Sequence, residues 1–302
     1  MQVPSALEAR GLSKSYGSSE VVRDLNLSIV PGSVTAFLGP NGAGKSTTIK
    51  MLMGMVRPTR GKGFLLGTSI SDLAGSASAR RSVAYVGERK PLYSYMTVRQ
   101  MMRFTSAFYP DWRFEEGERL LKSSQLPLNR SVKSLSKGMR TKLALLLAFA
   151  RKPLLMILDE PGEGLDPVGI EQMLESIDLQ RRSGTTVFLS SHQISDVERI
   201  ADHICMINNG QMTIDASMNE ITQSYQCIDL EFKVTPDAEV FRLNGVRSLR
   251  RTSKGLRIVA VSNHGEILSR AQEFLPTSVD VKPINLRELF LEMAGRLNDA
   301  LV

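Results

Sequence analysis

Short apolar runs alternate with longer amphipathic stretches along the chain, a pattern that predicts an α/β architecture with a mainly parallel sheet. Val34-Thr35-Ala36-Phe37-Leu38 and Leu154-Leu155-Met156-Ile157-Leu158 are nearly continuous apolar runs, as strands covered on both faces are. Residues 185–190 and 203–207 add two strands of the same kind. Residues 6–12 and 21–29 alternate in polarity instead, which predicts an antiparallel sheet lying over the core. From about Thr97 to Arg151 the period turns helical, with Pro110 and Pro127 as breaks. A boundary is expected near 219–226, between a helix-like segment at 217–225 and the strand-like Cys227-Ile228-Asp229-Leu230-Glu231-Phe232. Strands at 257–261 and 279–282 and helices at 265–275 and 286–297 then predict a small α+β C-terminal domain. The expected division is 1–220 and 221–302, with a helical subdomain at about 90–150.

The longest apolar run, 143–150, lies between Lys142 and Arg151 and is far short of the ~18 residues that cross a bilayer. The first nine residues lack a basic start followed by an apolar stretch, so no secretory signal is expected. Cys205 and Cys227 are too few for a disulfide framework or a multi-cysteine metal site, and they suit a reducing cytosol. The formal charge of +7 is regional: residues 80–152 hold 16 basic and five acidic side chains, whereas 220–302 hold 11 of each. The basicity therefore needs a local explanation.

Directly after the strand ending at Leu38 stands Gly39-Pro40-Asn41-Gly42-Ala43-Gly44-Lys45-Ser46-Thr47, a complete G-x-x-x-x-G-K-[ST] loop. Its glycines let successive backbone N–H groups turn around a phosphate, and the following helix presents its positive end. Lys45 reaches the β and γ oxygens, and Ser46 can ligate Mg²⁺. The strand at 154–158 runs into Asp159-Glu160-Pro161, and two acids at the end of a buried strand call for a cation or hydrogen bonds. Asp159 is read as the Mg²⁺ carboxylate and Glu160 as the general base for the attacking water.

Leu135-Ser136-Lys137-Gly138-Met139 opens a helix just before that strand and resembles the Leu-Ser-Gly-Gly-Gln signature of ATP-binding-cassette (ABC) proteins. The other family motifs resemble this chain in the same order. Tyr16 stands where an aromatic stacks on adenine, and Glu88, in Tyr85-Val86-Gly87-Glu88, where the Q-loop glutamine contacts metal and water. Gly164-Leu165-Asp166-Pro167 corresponds to the D-loop, and His192 to the switch histidine near the γ-phosphate. Over residues 6–220 the resemblance implies a P-loop NTPase cassette with a RecA-like core, an antiparallel β subdomain and a helical subdomain. It further implies ATP and Mg²⁺ as cofactors, with Ser46, Asp159 and Glu88 on the metal side. A second cassette, in a homodimer or a heterodimer, pairs head to tail, so that the signature Ser136 serves the nucleotide of the other cassette, and Gly138 and Asp166 are expected among the nucleotide-binding residues. A separate polytopic transmembrane permease is the implied partner, with the chain at the cytoplasmic face of the membrane and no nucleic acid. His203 and His264 have no such company and are read as structural.

Three motifs depart from the family pattern. Glu88 carries a charge in place of an amide; Lys137 and Met139 replace Gly and Gln; Glu163 precedes Gly164 where small residues are usual. Lys137 either adds positive charge near the γ-phosphate held across the pair or points to solvent. Together the departures and the neutral C-terminal domain resemble the stand-alone ATPase subunits of ABC-2-type exporters. The alternatives are a soluble cassette acting on nucleic acid or ribosomes, suggested by the basic segment, and an ATP-binding scaffold.

Overall fold

A computed structural model describes residues 5–294 and divides the chain into two compact units, on either side of the bond between Ile214 and Asp215. The division falls six residues before the expected position at 220, inside a strand rather than after the helix at 218–224.

The first unit holds two sheets. β1 (Leu7–Tyr16) and β2 (Ser19–Ile29) form an antiparallel hairpin, and β4 (Arg60–Leu65) and β5 (Thr68–Ser69) extend it in the order β2-β1-β4-β5. The second sheet has the order β10-β9-β3-β8-β7-β6. Its strands are β3 (Val34–Leu38), β6 (Val83–Val86), β7 (Leu155–Asp159), β8 (Thr186–Ser191), β9 (His203–Asn208) and β10 (Gln211–Ser217). The run from β9 through β6 is parallel, and every residue of β3 and β7 is buried, as their unbroken apolar sequences require. Helix α1 (Lys45–Leu52) lies between the sheets: Ile49, Met51 and Leu52 join one apolar cluster with Leu12, Val22 and Leu25 of the hairpin and with Phe37 and Ile157 of the parallel sheet. This double covering fixes the helix start, and with it the loop that precedes it.

After β5, α2 (Leu73–Arg81) leads into β6. The helical segment is α3 (Val98–Ser106), α4 (Phe114–Ser123) and α5 (Lys137–Phe149), with Pro110 and Pro127 outside helices. α3 starts in a full capping box between Thr97 and Gln100. Arg113 donates to the carbonyls of Phe149 and Arg151 at 2.8 Å, satisfying the end of α5. Arg151 is itself buried, donates to the carbonyls of Val83 and Arg81, and lies 3.5 Å over the Tyr109 ring. Two cations of the basic segment are thus built into the join between the helical segment and the parallel sheet. α6 (Pro167–Arg182) and α7 (Ile194–Glu198) complete the unit.

In the second unit, α8 (Met218–Ser224) precedes β11 (Gln226–Glu231), β12 (Val246–Arg251), β13 (Gly255–Ala260) and β14 (Ser278–Pro283). They form an antiparallel sheet in the order β12-β13-β11-β14. α9 (His264–Gln272) and a 3₁₀ turn at Ala238–Phe241 supply Ile267, Ala271 and Phe241 to the core under Ile228, Leu230 and Ile258. The element order is the β-α-β-β-α-β of ferredoxin-like folds, with the 3₁₀ turn in place of the first helix. α10 (Leu286–Ala294) places Glu292 on Arg250 and Arg257, and Arg257 makes a bidentate bond to Asp229. Burial pushes the Cys227 thiol up to about 11, as expected of an inert buried cysteine. Of the helix expected at 286–297, residues 286–294 are helical and 295–297 lie outside the described residues.

Candidate active site

The loop from Gly39 to Thr47 leaves the end of β3 and turns into α1. A Cβ on Gly39 would lie 2.3 Å from the Ile207 carbonyl oxygen, so only glycine lets the loop pass that close to β9. Gly44 adopts φ of +107°, outside the range of L side chains, and hands its carbonyl to the Thr48 hydroxyl at 2.9 Å. Lys45 is buried; its ammonium donates to the Gly39 carbonyl at 2.6 Å and the Pro40 carbonyl at 3.3 Å, and stands 3.9 Å from Glu160 Oε1. Burial lowers the Lys45 pKa, and the Glu160 and Asp159 carboxylates oppose that shift.

Asp159 ends β7 and is buried. Its Oδ1 accepts from Ser46 Oγ at 3.3 Å and from Ser190 Oγ at 2.6 Å. Ser190 Oγ in turn accepts the Glu160 N–H at 3.0 Å, which holds Glu160 at a φ of +50°. That turn swings the Glu160 carboxylate outward, where Oε2 meets His192 Nδ1 at 2.7 Å. Ser190 escaped the sequence reading because a serine at a strand end looks like a sheet residue. Its position opposite Asp159 comes from the parallel register of β7 and β8.

Lys45, Ser46, Glu160 and His192 open on one cleft of about 450 Å³, where Pro40, Asn41, Gly42, Gly44 and Thr47 meet Glu88. Gly39 and the buried Ala43 pack beneath the loop, with the Ala43 carbonyl accepting from Gly210 N–H at 3.1 Å. Glu163 also lines the cleft, although its sequence marked it only as a departure. The Asp159 carboxylate and Ser46 hydroxyl are hard oxygen donors side by side, the donor set that Mg²⁺ takes together with substrate phosphates.

The remaining expected residues lie elsewhere. Tyr16 ends β1, half-exposed, with the Lys14 ammonium 4.9 Å from its ring centroid. Ser136 caps α5, accepting from Met139 N–H at 3.2 Å, and is exposed. Asp166 caps α6 through Gly169 N–H at 2.8 Å and pairs with Lys142 at 3.6 Å. Gly138 is required where it stands, because a Cβ there would lie 2.5 Å from the Gly164 carbonyl oxygen. Lys137 is exposed and donates to Glu163 Oε1 at 2.6 Å.

Loop amides ending in a lysine, opposed by two carboxylates from the next strand but one, place this unit among the P-loop nucleoside triphosphatases. Comparison with known proteins narrows the class. The ABC transporter family model matches residues 22–163. The lantibiotic transport ATP-binding protein SrtF of Streptococcus pyogenes is 34% identical over 221 residues, 69% of this chain and 90% of SrtF. The Nod factor export ATP-binding protein I of Rhizobium etli is 29% identical over 299 residues, 97% of this chain and 94% of its own. Among solved structures, a dimeric ATP-binding cassette in a post-hydrolysis state with ADP and Pi superposes with a TM-score of 0.63. It is 22% identical and covers 70% of this chain and 98% of the cassette. The chain belongs to the ABC transporter family, as one of its ATP-binding and ATP-hydrolysing cassettes.

Proposed function

We propose that the chain energises export through a separate polytopic membrane subunit, working as a head-to-tail pair of cassettes at the cytoplasmic face of the membrane. The observation that carries the chemistry is the position of Glu160, whose two oxygens face Lys45 and His192 across the cleft. The loop N–H groups and Lys45 bind the β and γ phosphates, and Ser46 and Asp159 hold Mg²⁺, which neutralises charge on the phosphates when bound. Glu160 accepts the proton of the attacking water, and His192 orients that carboxylate and borders the γ-phosphate. Glu88, in the lining of the cleft, is assigned to the metal side. Tyr16 stacks on adenine, and the exposed Ser136 serves the nucleotide of the other copy, where the N-terminus of α5 favours phosphate.

Export is supported by the Nod factor export relative, whose match spans both units of the chain. A separate membrane path is supported by the helices themselves: among the described residues none is long and apolar enough to cross a membrane. A groove of about 410 Å³ between α3, α5 and β6, lined by Met55, Leu92 and Met101, offers an apolar seat for a cytoplasmic segment of that subunit. Tyr95 and Phe108 are exposed on the same subdomain, with Arg99 and Arg103 one helical turn apart on α3. Arg113 does not belong to this surface, since its guanidinium closes α5. Reversing the charge at Arg99 and Arg103 together should reduce co-purification of the cognate membrane subunit, with ATP affinity unaltered. Full co-purification with the double variant, or salt-sensitive binding to RNA in its place, would contradict the reading.

A further inference from the structure

Two of the three departures from the family pattern meet in space. Lys137, the first residue of α5, and Glu163, in the loop after β7, form an ion pair at 2.6 Å. The backbone beneath the pair is equally close. Thr141 Oγ1 donates to the Glu163 carbonyl at 3.0 Å, and a Cβ on Gly164 would lie 3.1 Å from Lys137 Cγ. Glu163 also faces the nucleotide cleft beside Glu160 and His192. Its carboxyl is held below the usual carboxylate range chiefly by the Lys137 hydrogen bond, against the opposing effect of burial, with the charges of Lys137 and Lys90 adding to it. Both side chains are substantially exposed, so the pair contributes little to folding. Its consequence is positional, because it joins the loop that follows Glu160 to the residue next to Ser136.

We infer that the Lys137–Glu163 pair is a latch that sets the N-terminus of α5, and hence Ser136, from the loop bordering the nucleotide cleft of the same chain. ATP in one cleft then governs how well that chain presents its serine to the nucleotide of the second copy. Lys137 and Glu163 are positioning residues, acting through Ser136. The inference rests on the proposed role of Ser136 across a pair of cassettes.

The test uses the full chain carrying Glu160→Gln, with ATP-dependent dimerisation followed by sedimentation. Adding Lys137→Met or Glu163→Gln should each weaken the ATP-dependent dimer by about fivefold. The combined variant should be no weaker than either alone, and Lys137→Arg should keep the parent affinity. Binding of a fluorescent ATP analogue to the Lys137→Met monomer, and its thermal melting, should match the parent. Undiminished dimers in both single variants, or losses that multiply in the combined one, would overturn the latch while leaving the role of Ser136 in place. A Glu160→Gln parent that stays monomeric in saturating ATP would overturn that role and the latch with it.

Discussion

Glu160→Gln is expected to lower ATP turnover by about 10³-fold while ATP still binds, because a positioned general base contributes on that order to a proton-transfer step. The amide keeps the size of the side chain and its place beside His192, so the loop and the Asp159 pair stay as they are. What is lost is the carboxylate proposed to take the water's proton. Phosphate release measured alongside nucleotide binding separates the two effects. Unchanged turnover would remove Glu160 from its role, and lost binding would make the carboxylate structural.

Lys45→Met is expected to act on the other side of the reaction and lower ATP affinity by about 100-fold, the scale of losing hydrogen bonds to a charged phosphate. The substitution keeps most of the buried stem and removes only the ammonium. The Gly39 carbonyl loses its ammonium donor at the same time, while Pro40 keeps the Ala43 N–H, so some loss of thermal stability should accompany the loss of binding. Calorimetric titration with ATP and Mg²⁺ gives the affinity directly. An affinity within a few-fold of the parent would mean that the backbone amides alone hold the phosphates.

The phosphate loop was legible because its geometry is local: the glycines that permit the turn and the lysine that uses it are consecutive. The paired acids were legible for a similar reason, since a carboxylate at the end of an all-apolar strand has few explanations. Contacts made by packing alone were hidden. Ser190 reaches Asp159 only through the register of two parallel strands, and Lys137 finds Glu163 across 26 residues. Arg113 and Arg151 belong to the basic segment of the sequence, yet both are tied to backbone carbonyls in the fold. Among the strands, the parallel core followed from its apolar runs. β12, by contrast, is an edge strand whose arginines conceal the alternation, and β4 is half-exposed and begins with Arg-Gly-Lys-Gly. In the second unit the fold was partly legible, whereas the charged network of Asp229, Arg257 and Glu292 depends on cross-strand register and on α10.

The central claim is that each hydrolytic site is completed by two copies of the chain, Lys45 from one and Ser136 from the other. Mixing two inactive proteins tests it directly, Lys45→Met supplying an intact signature serine and Ser136→Arg an intact phosphate loop. A mixed pair then holds one complete site, and phosphate release should reappear on mixing although neither protein is active alone. A mixture as inactive as its components would contradict the account.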